Sequence, residues 1–344
     1  MNTIASDGAS ENRAANKKLA TLTAQDVLIN NQVKLDELKK TGFPMNMKVA
    51  FNHPTLSNDG IVIFIDSDMP HLIKKFVNAL ERSGLSEHDT DLHFHGHKLS
   101  LNMLHQLWCE SGSNLSNSVR NVNKLTKDHF FKNNYSRMRV HLATQICSKN
   151  VVNMIDDYAE ECGGKEKYEP LREVLLLLNS FIDIMNGRKK VDCFSSPNDE
   201  KLDELLKLVS IFSEWKNESL SNKNEFIPMQ SYEDLCWIVF AKVGVCSKYL
   251  RDDASLLLVP GRSGSDVVEH HFGHIRQTNA QPSILECRQA TARGSDIGPI
   301  NNMFSVNSKA NTSGSEVYAS EAFSLMKPKA NKKRKRKITK RKST

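Results

Sequence analysis

The chain is poor in the features that mark small secreted, zinc-bound or membrane proteins. Its 344 residues hold seven cysteines, with no Cys-x-x-Cys pair and no even set of spacings. That argues against a disulfide framework and a cysteine-based zinc module, and suits a reducing compartment. No apolar run approaches the roughly 20 residues that a bilayer-spanning helix needs, and residues 1–20 are polar with no signal-peptide core. Neither membrane nor secretion is indicated. The commonest nucleotide and hydrolase signatures are also missing: there is no Gly-x-x-x-x-Gly-Lys-[Ser/Thr], no Gly-x-Gly-x-x-Gly and no Gly-x-Ser-x-Gly.

Acidic residues are absent from one place in particular. Residues 327–344, "KPKANKKRKRKITKRKST", carry eleven Lys and Arg and no acid. Removing those eleven from the total of 47 leaves 36 basic against 40 acidic residues, a balance of −4, so the overall charge of +7 belongs to a tail. Such a tail repels itself into disorder and suits nuclear import or a nonspecific arm on DNA phosphate, with Lys332, Lys333, Arg334, Lys335, Arg336 and Lys337 at its centre.

What is present is a hydrophobic fraction of 39%, enough for a core, in a chain long enough for one large or two ordinary domains. The start reads as a strand end, a turn at Asp7-Gly8 and a helix. "IVIFI" at 61–65 lies between turn signals and reads as a buried strand, followed by a helix with Leu72, Ile73, Phe76, Val77 and Leu80 at helical spacing. Most of 98–250 is helical in pattern, including Leu171, Val174, Leu175, Leu178, Phe181, Ile182 and Met185, and then Leu202, Leu205, Leu206, Val209 and Phe212. Beyond about residue 291 the chain is rich in Ser, Asn and Gly, with little periodicity.

Two constellations carry possible chemistry. His93, His95 and His97 alternate, as three zinc or copper ligands on one strand face would; a neutral His-rich turn is the stronger reading, since zinc sites usually draw on more than one segment and no Cys is nearby. Asn123 and Lys124 begin the Asn-Lys-x-Asp pattern that reads guanine, but Thr126 stands where the acid belongs.

Four blocks resemble one family. "KLTKDHFFKNNYSRMRVHLATQICSKNVVNMI" (124–155) is similar to a block of the P-element-type transposases and of the THAP-domain proteins derived from them. So are "IVIFIDSDMPHLIKKFVNAL" (61–80), "LLLLNSFIDIMNGR" (175–188) and "SDVVEHHFGHIR" (265–276), in the family's order. The resemblance implies a fold of class α/β plus α: an RNase H-like core interrupted by a large, mostly helical GTP-binding insertion domain. The expected boundaries are 1–97 for the first part of that core, 98–255 for the insertion, 256–290 for the return segment and 291–344 for a disordered tail. It also implies an Asp-Asp-Glu site in which two Mg²⁺ ions activate water or a 3′-hydroxyl for attack on a DNA phosphate, hard oxygen ligands suiting that ion.

Mapped onto this chain, the resemblance makes Asp7 the second acid and Glu269 the last, both as catalytic and metal-holding residues. Asp68 is the alternative acid, though its place before Pro70 also suits a helix cap. Asn123, Lys124 and Asp266 are the GTP-binding candidates. The family's first catalytic Asp and its THAP-type zinc finger would lie upstream of residue 1. The chain is therefore expected to be an incomplete core, from a truncated gene model or a decayed copy, and inactive in strand transfer by itself. The implied cofactors are Mg²⁺ and GTP, the partners are DNA and either a second copy or the full-length transposase, with no membrane, and the compartment is the nucleus. A noncatalytic nuclear module binding DNA or protein remains the competing expectation.

Overall fold

The computed structural model describes residues 3–6, 10–53, 61–113, 124–133, 136, 139–253, 255–262 and 283. All of them fall within one compact unit, Met1–Ser295. The chain begins with a strand, β1 (Thr3–Ser6), and a helix, α1 (Ser10–Leu19). A two-residue strand β2 (Leu22–Thr23), a helical turn α2 (Ala24–Val27) and a helix α3 (Gln32–Lys40) follow. Strands β3 (Lys48–Asn52) and β4 (Val62–Ser67) complete a four-stranded sheet of order β1-β4-β3-β2. β1 runs parallel to β4, whereas β3 is antiparallel to both β4 and β2. The strand foreseen at 61–65 thus lies inside a sheet in which β2 and β3 are too short and too polar at their ends to stand out in sequence.

Helix α4 (Met69–Arg82) leaves β4 almost at once, and the five apolar positions that marked it are all buried. A two-stranded hairpin, β5 (His93–Phe94) and β6 (His97–Lys98), follows. His95 at φ +51° and Gly96 at φ +74° form its tight turn, where left-handed backbone matches the twist of the strands. The three histidines therefore straddle a turn and do not share one strand face, and His95 pairs with Glu218 at 3.0 Å.

The remainder is helical: α5 (Leu101–Ser113), α6 (Lys127–Phe130), α7 (Val140–Ile146), α8 (Lys149–Tyr158), α9 (Lys165–Met185), α10 (Glu200–Glu218) and α11 (Met229–Asp252). Every apolar position that marked α9 and α10 in sequence is buried. One hydrophobic core runs from Ala20 to Leu250, joining Val49, Phe51 and Ile65 of the sheet to Phe181, Phe212, Trp215 and Trp237 of the helices. On the opposite side of the strands, Ala50 and Phe64 pack against Ala241 and Val245 of α11. Alternate residues of β3 and β4 thus face different apolar clusters, as the two-residue period of a strand dictates. A sheet buried on both faces explains why "IVIFI" is a continuous apolar run and not an alternating one.

Candidate functional site

Among the described residues, the one parallel pair in the sheet ends with Ser6 opposite Ser67. In α/β sheets, ligands and reacting groups gather just beyond the carboxyl ends of such strands, because the following helices begin there. The backbone N–H of Asp68 donates to the Ser6 carbonyl at 3.1 Å, tying the first residue after β4 to the last of β1. Asn16 of α1 reaches the Ser6 hydroxyl at 3.4 Å.

Asp68 is 2% exposed and caps α4, accepting the His71 backbone N–H at 3.2 Å and meeting His71 Nδ1 at 2.5 Å. Its carboxylate thus satisfies a donor that a helix N-terminus would otherwise leave unpaired. Asp66, two residues earlier, points into the protein. Burial pushes its carboxyl above the usual 3.8, an effect offset by the Lys242 ammonium. Lys242 of α11 donates to one oxygen of Asp66, and the Ser67 N–H donates to the other at 2.9 Å.

A second charge cluster pins the helices that follow the two strands. Arg13 of α1 binds both Glu233 and Asp234 of α11 and lies over the Trp237 ring, 5.0 Å from its centroid. Lys75 of α4 takes the remaining Asp234 oxygen at 2.9 Å, and Lys17 of α1 takes Glu233 at 2.9 Å. α11 therefore holds α1 and α4 at fixed positions beside the strand ends. Near its middle, Gly244 allows β4 to come close: a Cβ there would lie 2.1 Å from Phe64 Cε1.

Among the sequence candidates, Asp7, Asn123, Asp266, Glu269 and Lys332 to Lys337 lie outside the described residues. Lys124 is described: it is exposed, with φ +55°. Thr126, in the position of the guanine-reading acid, directs its N–H and hydroxyl to His129 Nδ1 at 3.0 and 3.1 Å, so this stretch does not supply that acid. Nor do the described residues by themselves fit the implied magnesium pair. Among them no group of three or more His, Cys, Asp or Glu is arranged to hold a metal ion, and the Asp66 and Asp68 carboxylates are engaged with Lys242 and His71.

Sequence reasoning passed over Arg13, Asp66, Asp234 and Lys242. For two of them a signal was there. Asp66 ends the apolar run "IVIFI", and Lys242 interrupts "WIVFAKVGVC". A lone charge inside an apolar stretch requires a buried partner, and these two are each other's.

Comparison with known proteins bears on this arrangement. Residues 70–196 match the family described as TNP-like, GTP-binding insertion domain. The Transposable element P transposase of Drosophila melanogaster is 27% identical over 240 residues, covering 68% of this chain and 30% of that protein. The chain thus spans under a third of the relative's length. The solved Drosophila P element transposase strand transfer complex shares the fold at a TM-score of 0.60 and 23% identity, over 84% of this chain and 58% of that one. By family model and relative together, the chain is similar to the P-element-type transposases, with residues 70–196 matching the TNP-like GTP-binding insertion domain.

Proposed function

We propose that this chain serves DNA transposition of the P-element type, contributing part of an RNase H-like core, with the helical region inserted before the last acid. The observation that carries the reading is the β1–β4 parallel pair, whose ends are joined by the Asp68 N–H to Ser6 carbonyl bond, immediately before sequence position 7. In this reading Asp7 and Glu269 are metal-holding acids of the DNA-cleaving site, and Asp68 caps α4. The domain limits are 1–97, 98–255, 256–290 and 291–344, with insertion-type sequence recognisable from residue 70. Mg²⁺ would supply the activation of water or a 3′-hydroxyl, and GTP would bind in the insertion domain, with Asp266 contributing. The likeness to a solved strand transfer complex supports DNA as the partner; in this reading the chain also self-associates or joins a full-length transposase. The basic tail supports the nucleus as the compartment.

Residues 1–344 by themselves carry two of the three acids of this reading, one short of what a two-metal site requires. The test is magnesium-dependent cleavage of terminal-repeat DNA. No cutting by the chain alone, with cutting restored by a full-length relative and lost again on Glu269→Gln in a hybrid, is the expected pattern. Robust cutting by the chain alone would refute it. GTP binding is tested separately, by calorimetric titration with and without Asp266→Asn.

A second reading, a noncatalytic module that binds DNA, is favoured by one observation. Each described acid around the strand ends, Asp66, Asp68, Glu233 and Asp234, is engaged with a basic side chain or a histidine. Loss of DNA affinity on deleting 327–344 and no activity in the hybrid would select it.

A further inference from the structure

A cleft of about 610 Å³ opens inside the 70–196 region. The end of α4, strand β6, the first turns of α5, the end of α6 and Lys167 of α9 form its walls. At one side lies an aromatic group. Phe131 is 65% exposed and meets His105 edge-on at 5.1 Å, while His105 packs against Phe130 at 5.0 Å and stacks on Trp108 at 6.0 Å. Phe130 and Trp108 are themselves 5.3 Å apart, so the exposed ring is backed by a packed cluster.

Lys98 and Lys167 also line the cleft and are exposed. Glu81 is the one acid among the lining residues, and Lys132 is bonded to it at 2.9 Å. Asp91, outside the lining, is 2.7 Å from Lys98 and leaves the Lys98 side chain 46% exposed. An exposed aromatic face beside exposed lysine side chains is the arrangement that takes a stacked base with its phosphate.

We propose that this cleft holds an unpaired nucleotide of a DNA single strand, with the base on Phe131 and the backbone phosphate toward Lys98 and Lys167. Stacking on one exposed ring reads no sequence, which suits a strand held by position and not by base identity. The choice of DNA rests on the transposition reading above; the cleft itself does not.

The experiment is photocrosslinking of the full chain to a short oligodeoxythymidine carrying 5-iododeoxyuridine, with the adducts mapped by mass spectrometry. The expected adduct is on Phe131 or His105. Phe131→Ala should remove it and weaken binding about ten-fold, the loss of one stacked base. Phe131→Tyr should retain it, and Lys167→Glu should weaken it through the phosphate. Phe131 is exposed enough that these variants should melt with the parent, and the Tyr variant separates lost stacking from lost folding.

Adducts confined to residues 327–344 would overturn the cleft assignment and leave the DNA reading standing. No binding by any part would overturn both. Displacement of the Phe131 adduct by GTP at equal concentration, or an equal adduct from the fully paired duplex, would each overturn the assignment to an unpaired strand.

Discussion

His129 and Gln145, 16 residues apart, are joined side chain to side chain at 2.9 Å across the break between α6 and α7. The direction of the bond follows from the other ring nitrogen. The Thr126 backbone N–H can only donate, so Nδ1 accepts and the proton of the neutral ring sits on Nε2, facing the Gln145 oxygen. Three members of the block that resembles the transposase family, Thr126, His129 and Gln145, therefore form one hydrogen-bonded clasp. Removing one partner strands a buried polar group.

Gln145→Leu or His129→Ala should accordingly cost about 1–3 kcal/mol. Burial holds the His129 ring below its ordinary value of 6.5. The unfolded chain thus binds a proton more readily than the folded one, and the stability contributed by the neutral ring is present above 6.5 and lost as pH falls from there toward the folded value. Urea midpoints measured from neutral to mildly acidic pH should fall, and fall less in His129→Gln. An identical decline in the two proteins would contradict this.

Lys242 offers a sharper case. Asp66 is fully buried, and Lys242→Met leaves it without a counter-charge, a loss of about 3–5 kcal/mol. In that variant the folded chain holds the Asp66 proton more tightly than the unfolded chain, whose carboxyl titrates near 3.8. Stability then declines as pH rises through the folded value, so the variant should be weakened more at slightly alkaline pH than in acid. Adding Asp66→Leu should recover much of the loss, since a matched apolar pair avoids the desolvation of both charges. Chemical denaturation of the single and double variants at two pH values checks this.

Gly244→Ala tests the approach of α11 to the sheet. The new methyl would lie 2.1 Å from Phe64 Cε1, inside any allowed contact, and α11 or the ring must move. The expected cost is about 1–3 kcal/mol. Phe64→Leu destabilises on its own, yet the pair together should cost less than the sum, and a double-mutant cycle showing simple additivity would contradict the contact.

The tail makes a separate prediction. With eleven positive charges and no acid over 327–344, its deletion should flatten the dependence of DNA affinity on salt, measured by anisotropy over a salt series. An unchanged slope would mean that phosphate contacts arise elsewhere.

The helices were legible because their burial is one-sided. Leu72 to Leu80, Leu171 to Met185 and Leu202 to Phe212 keep the three-and-four spacing, and each marked position lies in the core. β2 and β3 were not, because two to five residues give no period to count, and their pairing is set by neighbours far along the chain. The family blocks were legible as pattern and opaque as cause. Only in three dimensions does Asn179 of "LLLLNSFIDIMNGR" accept the Lys149 N–H at 2.8 Å at the start of α8, and His129 find Gln145. The Asp66–Lys242 pair of α11 had a visible signal, a charge in an apolar run, but each run names only one member of the pair.

The reach of α11 has a consequence for how this chain can be shortened. One helix, Met229–Asp252, supplies the counter-charge for Asp66, the cover for Phe64 and the anchor for Arg13. A product that stopped before residue 229 would contain every described strand of the sheet and yet lose what neutralises and shields it. Such a product should be cleared or aggregate, while a trypsin-resistant fragment of the whole protein should begin near α1 and not at the start of the helical body. The described strands are written early in the chain, but they become a stable sheet only once α11 has been made.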